Sequence, residues 1–302
     1  MNTLSELKQQ AIYTKDKVVA VAGAADEQVL AAVKQAVDET MCSFHLFGCA
    51  SEIASIAEVI SLDLTSESIA ITHTEAPAAA AVKDVHNRKA DILMKGNIPT
   101  KNVLKAVLDK TNGLRGSKVL SHVALFEIPN QDRLIFLTDA AMNIAPGLEE
   151  KVEIIKNAVR VAHGVGISDP KTAVLAAVEE INPAMQATLD AAALAQMQKR
   201  AQISGCTIDG PLAFDNAVSA EAAAQKGIKS DVAGNADILV VPSIEAGNVL
   251  YKSFMYFSGA QAAAIISGAS APIVLTSRAD SSASKLNSLA MALVSEKTFQ
   301  GV

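Results

Sequence analysis

Tryptophan is absent from the 302 residues, aromatic side chains make up only 4%, and acidic residues outnumber basic ones by 32 to 26. A chain with formal charge −6 and so few rings has neither the basic stripe nor the stacking platforms that hold nucleic acid, so that class of partner is not expected. Cysteine is scarce too. Cys42, Cys49 and Cys206 are an odd count without CxxC spacing, which suits unpaired core thiols in a reducing cytoplasm better than a disulfide frame or a zinc site. Long unbroken apolar runs are missing: the tract 259–275 is interrupted by Gln261, Ser267, Gly268, Ser270 and Pro272, so no membrane partner is expected. The opening MNTLSELKQQ reads as an amphipathic helix and not as a signal peptide.

The usual cofactor signatures are absent as well. HGVGISDP (163–170) follows a helical pattern and lacks the third glycine of a dinucleotide loop, so Gly164 is read as the residue that stops that helix. There is no Walker loop, HExxH, GxSxG or EF-hand. The histidines at 45, 73, 86, 122 and 163 have no metal-ligand spacing, so neither a catalytic metal nor another cofactor is expected. Any chemistry falls to Arg, Lys, Ser, Asp and Asn.

What is present is apolar and periodic. Half the residues are hydrophobic, enough for a substantial core. Short β-branched runs alternate with Ala-rich amphipathic stretches: VVAVAG before DEQVLAAVKQAV, SFHLFG before SEIASIAEVI, ADILMKG before PTKNVLKAVLDK. Strand then helix, repeated, predicts mostly parallel sheets flanked by helices. LSHVALFEI and RLIFLTDA are separated only by PNQD, which predicts an antiparallel hairpin near a domain junction. The expected fold is therefore α/β, in two α/β lobes with a ligand cleft between them. The first lobe is drawn from 1–130 and 282–302, the second from 131–281.

Four polar clusters follow predicted strands: MKGNIPT, DAAMN, PSIEAGN and SRADS. Ligands of open α/β sheets bind beyond the carboxyl ends of the strands, so these clusters are the candidate site. In LTSRADSSASKL, Arg278 offers a planar fork of donors to an anion, and a helix starting near Ser281 or Ser282 adds free backbone N–H groups. The same residues, Ser277 included, also fit an ordinary turn with a surface ion pair.

These elements carry a resemblance. ADILMKGNIPTKNVLKAVLDK, GLRGSKVLSHVALFEIP, LTDAAMNIAP, IDGPLAFDNAVS, VAGNADILVVPSIEAGNVLYKSF and APIVLTSRADS, in this order over roughly residues 88–290, resemble the phosphate acetyltransferase and phosphate butyryltransferase family, most of all its butyryl branch. The resemblance implies transfer of a short acyl group between coenzyme A and phosphate (butanoyl-CoA and phosphate giving butanoyl phosphate and coenzyme A, reversibly). It also implies no metal or redox cofactor, an isocitrate-dehydrogenase-like architecture, and a homo-oligomer built on dimers. Acyl-CoA and inorganic phosphate are then the partners.

Under that resemblance Ser277 matches the family's active-site serine, hydrogen bonding to the thiol or the carbonyl oxygen, and Arg278 binds the phosphoryl group. The acetyl branch carries a catalytic aspartate a little further into the helix, near the position that Ser284 occupies here. Here the acid stands at Asp280, which could take the thiol proton or could simply cap the helix; a catalytic hydroxyl at Ser284 is a third option. Lys95, Gly96 and Thr100 could hold a phosphate or the pyrophosphate of coenzyme A, Gly96 by letting the ligand approach the backbone, with Lys105 further along the helix. Ser121, His122 and Asn143 match family positions near the cleft, although His122 fits an ordinary core histidine as well. In PSIEAGNVLYKSF, Gly247 and Asn248 suit a tight ligand-facing turn, and Lys252 follows one turn into the next helix. Glu245 could orient a ligand-binding side chain, or be a helix-start carboxylate. Asp209 and Gly210 are read as a turn. The rivals are the acetyl-specific enzyme, a metal-dependent hydroxy-acid dehydrogenase on the related fold, for which the carboxylate cluster is missing, and a catalytically silent coenzyme A binder.

Overall fold

The structure, a computed structural model, describes residues 1–14, 16–275 and 281–299. Its contacts divide them into an N-terminal unit, Leu4–Ser117 with the described residues from Ala262 onward, and a central unit, Met1–Thr3 with Lys118–Gln261. The N-terminal unit contains α1 (Leu4–Ile12), β1 (Val18–Ala22), α2 (Glu27–Asp38), β2 (Ser43–Gly48), α3 (Ala50–Val59), β3 (Ile69–His73), α4 (Pro77–His86), β4 (Ile92–Lys95) and α5 (Thr100–Val107). In the central unit follow β5 (Ser121–Glu127), β6 (Ile135–Thr138), α6 (Leu148–Gly164), β7 (Lys171–Leu175), α7 (Gln186–Lys199), β8 (Thr207–Leu212), α8 (Phe214–Val218), α9 (Ala220–Gln225), β9 (Ile238–Val240) and α10 (Ile244–Phe257). The chain then continues through β10 (Gln261–Ser267), β11 (Ile273–Val274) and α11 (Ser282–Ser295).

The strand order in the N-terminal unit is β3-β2-β1-β4-β11-β10, parallel except for β10 against β11. Val19 to Ala22 of β1 are all fully buried, as a parallel strand covered on both faces must be. Helix α2 shows why sequence pattern suffices locally. Asp26 caps it by accepting from the Val29 N–H at 3.0 Å, and Val29, Leu30, Ala32, Val33 and Ala36 form one buried stripe. Helix α11 is buried from Lys285 to Ser295 without a polar face, which makes it a core helix of this unit.

The central unit orders its strands β5-β6-β9-β7-β8. The expected hairpin is there: β5 and β6 pair antiparallel, and the other pairs are parallel. That pairing also moves the domain boundaries, which fall at 117/118 and 261/262 instead of 130/131 and 281/282. Both hairpin strands stay in one unit because they bond to each other, and β11 joins the N-terminal unit because it pairs with β4.

Three local expectations are corrected. Helix α6 does end at Gly164, but the left-handed residue that turns the chain away is Gly166, at φ +95. IDGPL is strand β8, not a turn. Cys206 is buried; Cys42 and Cys49 are half-exposed as residues, but the Cys42 thiol itself lies inside. No helix among the described residues is long and apolar enough to cross a membrane.

Candidate active site

In the N-terminal unit the strand order reverses direction between β1 and β4, the place where such sheets open a ligand crevice. Here the chain fills that place itself. The Gly96 N–H donates to the Ala22 carbonyl at 2.8 Å and the Asn97 N–H to the Gly23 carbonyl at 2.7 Å. A Cβ on Gly96 would lie 2.0 Å from the Gly23 carbonyl oxygen, and one on Gly23 would lie 2.5 Å from Ile98 Cγ2. Glycine at 96 is thus required by the protein's own backbone, which corrects the reading that it clears space for a ligand. Lys95 is 5% exposed, and its Nζ donates to the Gly96 carbonyl at 3.1 Å. Thr100 opens α5 as expected and is exposed. Lys105 faces a groove of about 660 Å³ lined also by Pro77, Val82, Lys83, Ile98 and Asn102.

Ser277, Arg278 and Asp280 lie outside the described residues, which resume at Ser281. The cap considered for Asp280 belongs to Ser281, whose Oγ accepts from the Ser284 N–H at 3.2 Å. The Ser284 hydroxyl lies 3.2 Å from that same Ser281 Oγ. Leu93 and Met94 pair in parallel register with Ile273 and Val274, so Lys95 and Leu275 leave neighbouring strands at the same end of the sheet.

The central unit gathers a second set. Ser121 is fully buried, its Oγ accepting from Asn157 Nδ2 at 3.0 Å; it serves the core. His122 is 8% exposed, with its ring 5.8 Å from that of Tyr251, edge-on. Asn143 donates through Nδ2 to the Leu120 carbonyl at 2.9 Å and to Asp139 Oδ2 at 2.6 Å. EAGN is not a turn but the first turns of α10, which starts at Ile244. Gly247 is needed because its Cβ would meet the Asp139 carbonyl at 2.5 Å and the Ala140 Cα at 2.9 Å: the helix packs directly on the loop backbone. Asn248 reaches the Ala140 carbonyl at 3.4 Å. Lys252 therefore stands two turns into the helix, exposed, with Nζ 5.9 Å from the Tyr251 ring centroid. Glu245 is an exposed first-turn carboxylate. The Ser243 hydroxyl and its own backbone N–H hold it below the usual range. Two buried organisers went unseen in the sequence, Asp139 and Asn157; TDAAMN showed the first only as a strand-end acid. No group of three or more His, Cys, Asp or Glu among the described residues could hold a metal ion.

Residues 65–293 match the family described as phosphate acetyl/butaryl transferase. The chain belongs to the phosphate acetyl/butyryl transferase family. It is 54% identical to a Bacillus subtilis protein named "Probable phosphate butyryltransferase", over 98% of this chain and 99% of that one. With the phosphate butyryltransferase of Clostridium beijerinckii the identity is 49%, over 96% and 95%. Its fold matches that of a branched-chain phosphotransacylase from Enterococcus faecalis at TM-score 0.80 and 36% identity, covering 93% of this chain and 99% of that one. As a phosphate acyltransferase family member the chain is an α/β transferase. The family match spans both strand-end clusters, the one around Lys95 and the one around Asp139.

Proposed function

We propose that this protein moves a butyryl or similar short acyl group between coenzyme A and inorganic phosphate. The observation that carries the reading is likeness to phosphate butyryltransferases along almost the whole of both chains. Phosphate binds at Arg278, whose guanidinium matches two phosphate oxygens at once and neutralises the charge that an acyl phosphate carries as it forms or departs. Ser277 hydrogen-bonds the thioester carbonyl or the thiol, and a phosphate oxygen attacks the carbonyl directly within a ternary complex. The reverse reaction needs the coenzyme A thiol as thiolate, the stronger nucleophile; Asp280 or Ser284 takes its proton. In the N-terminal unit Lys95 and Thr100, with the groove at Lys105, receive phosphates of coenzyme A; in the central unit His122, Asn143, Glu245, Asn248 and Lys252 are the candidate substrate contacts. The reaction uses no metal or redox cofactor.

The enzyme works in the cytoplasm as a homo-oligomer. Free cysteines support the first statement, and the exposed Val249, Tyr256 and Phe257 on α10 support the second, because large apolar side chains grouped on one helix favour burial against another chain.

The test is thiol release from butyryl-CoA and acetyl-CoA, with phosphate present or omitted, by the wild type and Arg278→Ala. Phosphate-dependent release, faster with butyryl-CoA and largely lost in the variant, is expected. Faster release with acetyl-CoA moves the assignment to the acetyl branch. Release without phosphate identifies a hydrolase, and no release while coenzyme A still binds leaves a silent binder.

A further inference from the structure

Asp139 ends β6 with its side chain in the interior, 3% exposed. Its Oδ1 accepts from the Ala141 and Met142 N–H groups, both at 2.9 Å. Its Oδ2 accepts from the Asn143 N–H at 3.2 Å and from Asn143 Nδ2 at 2.6 Å. Three consecutive backbone N–H groups of this kind can cradle an external anion; here the protein's own carboxylate occupies them. This strand end therefore has little left for phosphate.

The consequence falls on Asn143. Both hydrogens of its amide nitrogen are committed, one to Asp139 and one to the Leu120 carbonyl. Because both partners are acceptors, the orientation of the amide is determined, with nitrogen inward and Oδ1 away from them. The charge-assisted hydrogen bond that Asn143 Nδ2 donates to Asp139 polarises the amide and strengthens that oxygen as an acceptor. Asn143 is half-buried, and Oδ1 makes no hydrogen bond within the cluster.

We propose that Asp139 is a positioning residue that presents Asn143 Oδ1 to a neutral N–H donor of coenzyme A, namely a secondary amide of its pantetheine arm, and that Asn143 is not a phosphate ligand. Phosphate offers mainly oxygen acceptors, which an acceptor-only amide beside a carboxylate repels. A pantetheine amide supplies the complementary group. The inference rests on the acyl-CoA reading above and deepens it.

The experiment measures calorimetric binding of coenzyme A and of adenosine 3′,5′-bisphosphate, which lacks the pantetheine arm, together with the KM for phosphate. It compares the wild type, Asp139→Asn, Asn143→Ala and the double variant. Asp139→Asn keeps shape but turns a donor toward the Asn143 donors. Each single variant should weaken coenzyme A binding roughly tenfold, the worth of one hydrogen bond of about 1–1.5 kcal/mol. The bisphosphate affinity and the phosphate KM should stay within about twofold. The double variant should be no worse than Asn143→Ala by more than about twofold, since Asp139 acts through Asn143. Additive losses, a selective rise in phosphate KM, or equal weakening of the bisphosphate would overturn the inference. Should Asp139→Asn not fold, Asn143→Ala with the two ligands still decides it. A wild type that binds no coenzyme A would refute the functional reading itself, whereas unchanged coenzyme A binding by Asn143→Ala would refute this inference alone.

Discussion

Replacing Gly96 by alanine tests the closed junction between β1 and β4 through the sign of one number. Gly96 does not have a left-handed φ, so backbone preference alone favours the change: alanine restricts the unfolded chain and should stabilise by about 0.4–1 kcal/mol. The contacts say the opposite. The new Cβ would stand 2.0 Å from the Gly23 carbonyl oxygen, 2.7 Å from its carbon and 3.1 Å from the Ala22 oxygen, all backbone atoms that cannot rotate aside. Relieving this overlap costs about 1–3 kcal/mol, and separating the segments weakens the bonds from the Gly96 and Asn97 N–H groups to Ala22 and Gly23, each worth about 1 kcal/mol. The expected loss is roughly 2–4 kcal/mol. For a cooperative unit of this size that lowers Tm by roughly 5–15 °C, readable by thermal melting and urea unfolding. Gly227→Ala is the comparison: at φ +68 with no atom within 4 Å, it carries only the left-handed penalty of about 1–2 kcal/mol. A Gly96→Ala protein as stable as the wild type, or more so, would refute the argument.

Two further outcomes follow from buried and half-exposed groups. The Cys49 thiol is held below its ordinary range by the Ser51 hydroxyl, 3.2 Å away, and by the Glu52 N–H, whereas burial pushes Cys206 up to about 11 and Cys42 up as well. Iodoacetamide near neutral pH should therefore alkylate Cys49 first, by about a hundredfold over Cys206; peptide mapping that finds Cys206 or Cys42 modified equally fast would contradict this. In the central unit Lys151 and Asp190 form an ion pair of 2.5 Å with side chains 5% and 8% exposed. Lys151→Met should cost about 3–5 kcal/mol by stranding a buried carboxylate, and adding Asp190→Leu should recover most of it, as denaturant midpoints would show; equal instability of single and double variants would not fit.

The fold was legible because its signal is periodic. Alternating β-branched runs and amphipathic stretches placed the parallel strands, and PNQD placed the hairpin between β5 and β6. Helix α10 was misread at its start because glycine and asparagine are turn residues in isolation. What puts Gly247 inside a helix is a contact with Asp139 and Ala140, more than a hundred positions earlier, and no local pattern carries it. The ligand-facing reading of Gly96 fails for a physical reason: a glycine required by close approach looks the same in sequence whether a ligand or Gly23 approaches. Asp139 was missed because its four donors lie within four residues of it, so only the geometry distinguishes it from any polar loop residue.

Taken one at a time, the two units leave different chemistry at their strand ends. In the N-terminal unit the backbone closes on itself, and the exposed cation is Lys105 over its groove. In the central unit the backbone donors of residues 141–143 are spent on Asp139, and what remains is acceptors, Asn143 Oδ1 and the Glu245 carboxylate. Anions suit the first set and neutral donors the second. Inorganic phosphate, whose oxygens are mainly acceptors, is recognised by cations. A phosphate-binding residue should therefore be sought at Lys105 and in the segment that follows β11, and substitution of Asn143 should leave phosphate recognition intact.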